Sequence, residues 1–133
     1  MTDLGITSAV FLDGPAPLLH NAGAVIAATD VVYFDTTTAT AKVADADVLA
    51  SSIMSGIALT SSAIGNPVSV AGPGTRITVN AVLTKGVTYF VSTGTGKLCP
   101  FADLASGDYI SLAGIAESTT VLRILAVNLG IAI

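Results

Sequence analysis

The sequence predicts an all-β protein, a compact β-barrel or sandwich built from two similar β units. Three observations carry that expectation. Short β-branched and aromatic runs are bounded by Gly, Pro, Asn, Ser and Thr every eight to twelve residues, as in sandwiches and barrels. Thr75 to Leu83 alternates cleanly, with Ile77, Val79, Ala81 and Leu83 on one face and Arg76, Thr78 and Asn80 on the other, the period of a half-buried strand. The runs also recur. Val31-Val32-Tyr33-Phe34 is answered by Val87-Thr88-Tyr89-Phe90, Ala46-Asp47 by Ala102-Asp103, and Ser55-Gly56-Ile57-Ala58 by Ala113-Gly114-Ile115-Ala116. Gly72 and Gly130 keep the spacing of the Gly-Ile-Ala pair, so two copies are expected, at about 24–74 and 81–130.

The elements follow in order. Segment 1–23 stands outside the repeat, with Gly5, Gly14, Pro15, Pro17 and Gly23 around one apolar run, Ala9 to Leu12. It predicts an extended N-terminal arm with one strand, and Asp13-Gly14-Pro15 marks a turn. Residues 24–133 then form a single β domain. Val31 to Phe34 suits a strand, and Thr36 to Thr38 a turn. Ala44 to Ser52 is the one stretch with helical character, enough for one or two turns. Ile53 to Leu59 and Pro67 to Ala71 read as strands around a turn-rich Thr60 to Asn66. In the second copy, Val87 to Ser92, Tyr109 to Ala116 and Val121 to Val127 are the strands. Thr93 to Lys97 is a glycine-bearing turn, and Phe101 to Gly107 matches the weak helical stretch.

Composition narrows the function. The 133 residues are 52% hydrophobic and 11% charged, against a usual ~25% charged. So apolar a chain is expected to hide part of its surface in an assembly. A membrane span needs roughly 20 consecutive apolar residues; Val121 to Ile133 falls short and is interrupted by Arg123 and Asn128. The opening residues lack a basic stretch followed by an apolar one, so no signal peptide is expected. Net charge is −4, and Lys42, Arg76, Lys85, Lys97 and Arg123 are scattered, which argues against nucleic acid as partner.

Few residues suggest chemistry. His20, the single histidine, has no Gly-x-Ser-x-Gly nucleophile elbow to work with and reads as a surface or interface side chain. Gly94-Thr95-Gly96-Lys97 resembles the end of a phosphate-binding loop. Val91 stands where the first glycine belongs, Leu98 where Ser or Thr belongs, and Pro100 denies a following helix. It reads as a hairpin turn. Asp45 and Asp47 lack the further oxygen ligands of a calcium loop and suit an Asx turn. Asp108 and Glu117 are the one carboxylate pair considered for glycosidase chemistry. Tyr33, Tyr89 and Tyr109 are candidates for a sugar-stacking platform, but neighbouring Tyr and Phe in a strand face opposite ways, so one ring of each pair should enter the core. Cys99 is alone and reads as a small buried hydrophobe, with an intermolecular disulfide as the alternative. No catalytic, cofactor-binding or metal-ligating residue is assigned.

The order of these motifs carries a resemblance. Ala24-Val25-Ile26, Val-Val-Tyr-Phe, Ala-Asp-Ala-Asp, Gly56-Ile57-Ala58-Leu59 and a Gly-Asn-Pro-Val stretch lead into Gly86-Val-Thr-Tyr-Phe-Val-Ser. Ala102-Asp103-Leu104, Ser106-Gly107-Asp108-Tyr109 and Leu112 to Ala116 follow. Over about 24–130 the chain resembles small β-rich structural proteins of tailed bacteriophages, most of all capsid decoration (cement) proteins. The resemblance implies a non-enzymatic virion protein, made in the host cytoplasm and carried on the outer capsid surface. It would stabilise the lattice of the major capsid protein, commonly as a homotrimer, without cofactor. The contact segments expected are terminal and apolar: Leu4, Phe11, Leu12, Leu18 and Leu19 in the arm, and Leu129, Ile131 and Ile133 at the end. The alternative is a tail fibre, spike or receptor-binding module of a phage; a small glycan hydrolase acting through Glu117 or His20 is the third.

Overall fold

The computed structural model describes residues 3–133 and is all-β, with its strands in two antiparallel sheets. The strands are β1 Ala9–Asp13, β2 Leu18–Asn21, β3 Val31–Asp35, β4 Thr40–Val43, β5 Gly56–Ala58, β6 Pro67–Ala71, β7 Arg76–Val79, β8 Thr88–Val91, β9 Leu98–Pro100, β10 Tyr109–Ala116 and β11 Val121–Ala132. A single helical turn, α1 (Leu49–Ser52), and a 3-10 turn at Phe101–Asp103 fall inside the two stretches with helical character.

Both sheets have the same strand order. The five-stranded sheet runs β2-β6-β5-β3-β4, and the six-stranded sheet runs β7-β11-β10-β8-β9 with β1 added at its edge. The topological units are thus 18–71 and 76–132, each beginning one strand earlier than the sequence motifs suggest. The residue matches divide accordingly. Tyr33 and Tyr89 both turn inward onto the same core. Gly56 and Gly114 also share a role. A Cβ at Gly56 would run into the carbonyl oxygen of Ala71, and one at Gly114 into that of Arg123, so each glycine lets the next strand pass close by. Ile57 is buried whereas Ile115 is only half-buried, because the register shifts between Leu112 and Gly114. The glycine pair that keeps the same spacing is a coincidence of length: Gly72 follows β6 into a turn, while Gly130 sits inside β11 at φ 70°.

The segment before residue 24 holds two strands where one was expected; residues 1 and 2 lie outside the described residues. β1 pairs with β7, from Ala9↔Val79 to Asp13↔Arg76, and β2 pairs with β6, from Leu18↔Val70 to Asn21↔Pro67. The segment is also tied down ahead of β1. Leu4 N donates to Leu98 O at 2.9 Å. The Asn80 side chain accepts from Thr7 N at 2.8 Å and donates to Gly5 O at 2.9 Å.

The two faces of the small sheet build two cores. Val31, Ile57 and Ala71 face the large sheet and meet Ile77, Tyr89, Val91, Leu98, Leu122 and Ile124. Their neighbours Val32, Ala58 and Val70 point the other way and pack with Val68, Ala41, Ala22 and Ile26. That second cluster is enclosed because the sheet curls. Ala22, just past β2, bridges Ala41 of β4, and Gly23 N donates to Ala41 O at 2.8 Å. Ile26 bridges Ser62 across the mouth. In β7 the predicted alternation places Ile77 and Val79 inside, and Leu83 is buried beyond the strand; Ala81 is exposed because β7 ends at Val79.

Candidate functional site

Surface rather than a cleft dominates what this chain offers. β1 has exposed side chains on both faces, Val10 and Leu12 on one and Phe11 on the other. β2 repeats the pattern with Leu18 and Leu19, the latter 72% exposed. Beyond Ala126 the end of β11 adds one apolar face, with Val127, Leu129, Ile131 and Ile133 exposed, while Asn128 on the other face packs on Met54. Strands normally bury one face; β1 and β2 leave both uncovered, and the end of β11 leaves its apolar one uncovered. Of the expected contact residues, Phe11, Leu12, Leu18, Leu19, Leu129, Ile131 and Ile133 are on this surface. Leu4 is half-buried against the main core instead, because its backbone bond to Leu98 seats it over β9.

Sequence reasoning missed three members of this surface. Val48, Leu49 and Ile53, in and beside α1, are exposed too. Their segment lies along β10 and β11: Tyr109 N donates to Ala46 O at 3.0 Å, Ser111 Oγ to Ser52 O, and the Asn128 amide clasps Met54. That amide accepts from Met54 N at 3.0 Å and donates to Met54 O at 3.2 Å. The signal is present as a charge-free run from Val48 to Leu59, which the sequence divides between a stretch of helical character ending at Ser52 and a strand beginning at Ile53.

Charged side chains are engaged with one another. Arg76 donates through Nε to Asp13 Oδ1 at 2.7 Å and through Nη1 to Glu117 Oε1 at 3.0 Å, and Arg123 Nε reaches Glu117 Oε2 at 2.9 Å. The cluster joins β1, β7 and β11. Hydrogen bonding to the Arg76 guanidinium holds the Asp13 carboxyl below its usual range. On the other sheet Lys42 Nζ donates to Asp35 Oδ2 at 2.8 Å, which lowers the Asp35 pKa and raises that of Lys42.

The residues considered for chemistry do not converge. Glu117 is spent on two arginines, and Asp108 accepts from Ala105 N at 2.8 Å. They stand at opposite ends of β10, roughly 30 Å apart at ~3.3 Å per residue. Asp47 N donates to Asp45 Oδ1 at 2.8 Å, an Asx turn. His20 stacks at a tilt on Phe34, ring centroids 5.1 Å apart, across the seam where β2 meets β4. In the 92–97 hairpin, Gly94 lies against the Asp3 carboxylate and Gly96 against that of Asp30. The chain's own carboxylates therefore crowd the glycines that a phosphate would have to approach. Cys99 is fully buried, and desolvation pushes its thiol pKa up to about 11. Among the described residues no three His, Cys, Asp or Glu side chains group to hold a metal ion, and no helix is long and apolar enough to cross a membrane.

No protein-family model matches the chain, and no curated protein matches it. The site is therefore defined by its physical chemistry: an uncharged apolar surface carried on strand edges, suited to association.

Proposed function

We propose that this chain is a non-enzymatic structural protein of a virion, a capsid decoration protein. It binds the outer head surface, bridges copies of the major capsid protein and self-associates as a homotrimer. The observation that carries the reading is the apolar exposure of β1 and β2 on both faces and of the end of β11 on one. Covering such surface gains roughly 25 cal/mol per Å² of apolar area, set against the cost of association, and many copies on one shell add avidity. Low charge, a disordered catalytic inventory and the resemblance of its motifs agree with this reading. The test is to mix the purified protein with shells of the major capsid protein. Saturable binding and a higher melting temperature of the shell are expected. Absence of binding, or density confined to the tail in electron micrographs of the virion, would sink the proposal.

One observation favours the receptor-binding alternative. An open cleft of about 540 Å³ beside the β3–β4 hairpin is lined by Tyr33, Phe34, Asp35, Thr36, Thr37 and Ile53. Aromatic and hydrogen-bonding groups stand together there as a sugar requires. Saturable binding of a host-surface glycan, abolished by Asp35→Ala, would select this reading.

A further inference from the structure

We propose that copies of this chain join head to tail by strand addition, the free edge of β1 in one copy pairing with the open side of the β11 end in the next. The inference deepens the self-association proposed above and needs no capsid.

Two strand edges of the large sheet are open. β1 is terminal in the strand order, so one side of its backbone has no neighbour in the sheet. β11 is longer than its partner on that flank. β7 pairs with it only at Val121, Leu122 and Arg123, and Gly74 and Thr75 extend the contact to Ile124. From Val127 onward, strand pairing of β11 is with β10 alone. An open edge presents unpaired N–H and C=O groups that template another strand. Natural edges are blunted with charge or proline. Here Ala9 to Leu12 has neither, nor has Ile124 to Ile133.

The side chains match as the backbones do. Val10 is 62% exposed, and Leu129 and Ile131 are 52% and 58% exposed. β1 leaves both faces uncovered and the β11 end carries Val127, Leu129 and Ile131 exposed on one face, so pairing them would form a continuous apolar ribbon with no charge to desolvate from Ala9 to Leu12 or beyond Ile124. Leu49 and Ile53, exposed beside the β11 end, would extend the contact. Size also allows it: a standard contact takes about 800 Å² from each partner, roughly an eighth of the 6010 Å² surface at each end. Because the two edges differ, the contact is heterologous. Such contacts close into rings when the rotation permits, as a trimer requires.

Two exposed substitutions test this, Val10→Glu on β1 and Ile131→Glu on β11, with circular dichroism to check folding. Molar mass is read by light scattering after size exclusion. The wild type should run as a multimer and each variant as a single chain. An equal mixture of the two should form a two-chain species, since one intact β1 edge and one intact β11 edge remain between them. A single-chain wild type, a variant that keeps the wild-type mass, or a mixture that stays single-chain would each overturn the proposal. If either glutamate variant fails to fold, Leu12→Lys and Leu129→Lys replace the pair. Failure to bind capsid shells alongside a two-chain mixture would remove the decoration reading and leave this one standing.

Discussion

At the scale of single residues, the repeated glycines have a cause that composition conceals. Gly114 has the Arg123 backbone directly over its α-carbon, and backbone cannot give way as a flexible side chain can. Gly114→Ala is therefore expected to cost about 1–3 kcal/mol, read as a lower urea midpoint at unchanged slope. Ala39 is the reverse case. It closes the β3–β4 turn at φ 55° and is exposed, so Ala39→Gly relieves a left-handed conformation that costs a side chain roughly 1–2 kcal/mol. Part of that gain is lost to the entropy of glycine, and the net expectation is a small rise in stability. Cys99 brings pH dependence. Its thiol is neutral in the fold, and its pKa rises from 9.0 to about 11. The stability it contributes is complete below pH 9 and is lost as pH climbs toward about 11. Cys99→Ala should flatten the alkaline limb of the stability profile, and the native thiol should resist maleimides until the chain is denatured.

At the scale of elements, the strands legible in the sequence were those with β-branched or aromatic runs or clean alternation: β1, β3, β5, β6, β7, β8, β10 and the start of β11. Three were not. β2 sits behind Pro15 and Pro17 and carries His20 and Asn21, so it reads as loop until β6 pairs with it. β4 is Thr-Ala-Lys-Val, too weakly apolar to stand out. β9 ends in Pro100, which is tolerated because β9 is an edge that pairs only with β8. The second core was out of reach for another reason: it depends on the Ala22–Ala41 seam, a contact between small residues that no periodicity announces. Its one trace is Gly56-Ile57-Ala58, buried throughout, where a one-sided strand would alternate. Of the apolar surface, the terminal residues were legible because they are apolar and uncharged, whereas Val48 and Leu49 lie in a stretch of helical character and Ile53 opens a predicted strand. Ile26→Ala should cost about 2–5 kcal/mol, as for other buried aliphatic truncations. It should also raise hydrogen exchange at Gly23 and Ser62, whose amides bond across the curled sheet, more than at the amides of β10.

At the scale of the whole molecule, the two sheets are unequally finished. The five-stranded sheet is curled around a small core of its own, with β2 exposed on both faces; the six-stranded sheet is open at the edge of β1 and along the end of β11. Association through the large sheet is apolar, so self-association should persist between about 0.1 M and 1 M NaCl, where an ionic contact would weaken. Sedimentation equilibrium at the two salt concentrations checks this, and a multimer that dissociates at high salt would contradict it.

The link between β1 and β2 has a mechanical consequence. Those strands belong to different sheets, and only Gly14 to Pro17 separates them. Two of those four residues are prolines, which hold their backbone torsions near fixed values. The link lies against the turn between β6 and β7, with Thr75 Oγ1 donating to Pro15 O at 3.4 Å. Sliding one sheet past the other at this corner must straighten this four-residue link. Tension applied to the two sheets in opposite directions therefore runs through a short strap bent at Gly14 and Pro15, and resistance to shear at this corner rises once that bend is drawn out.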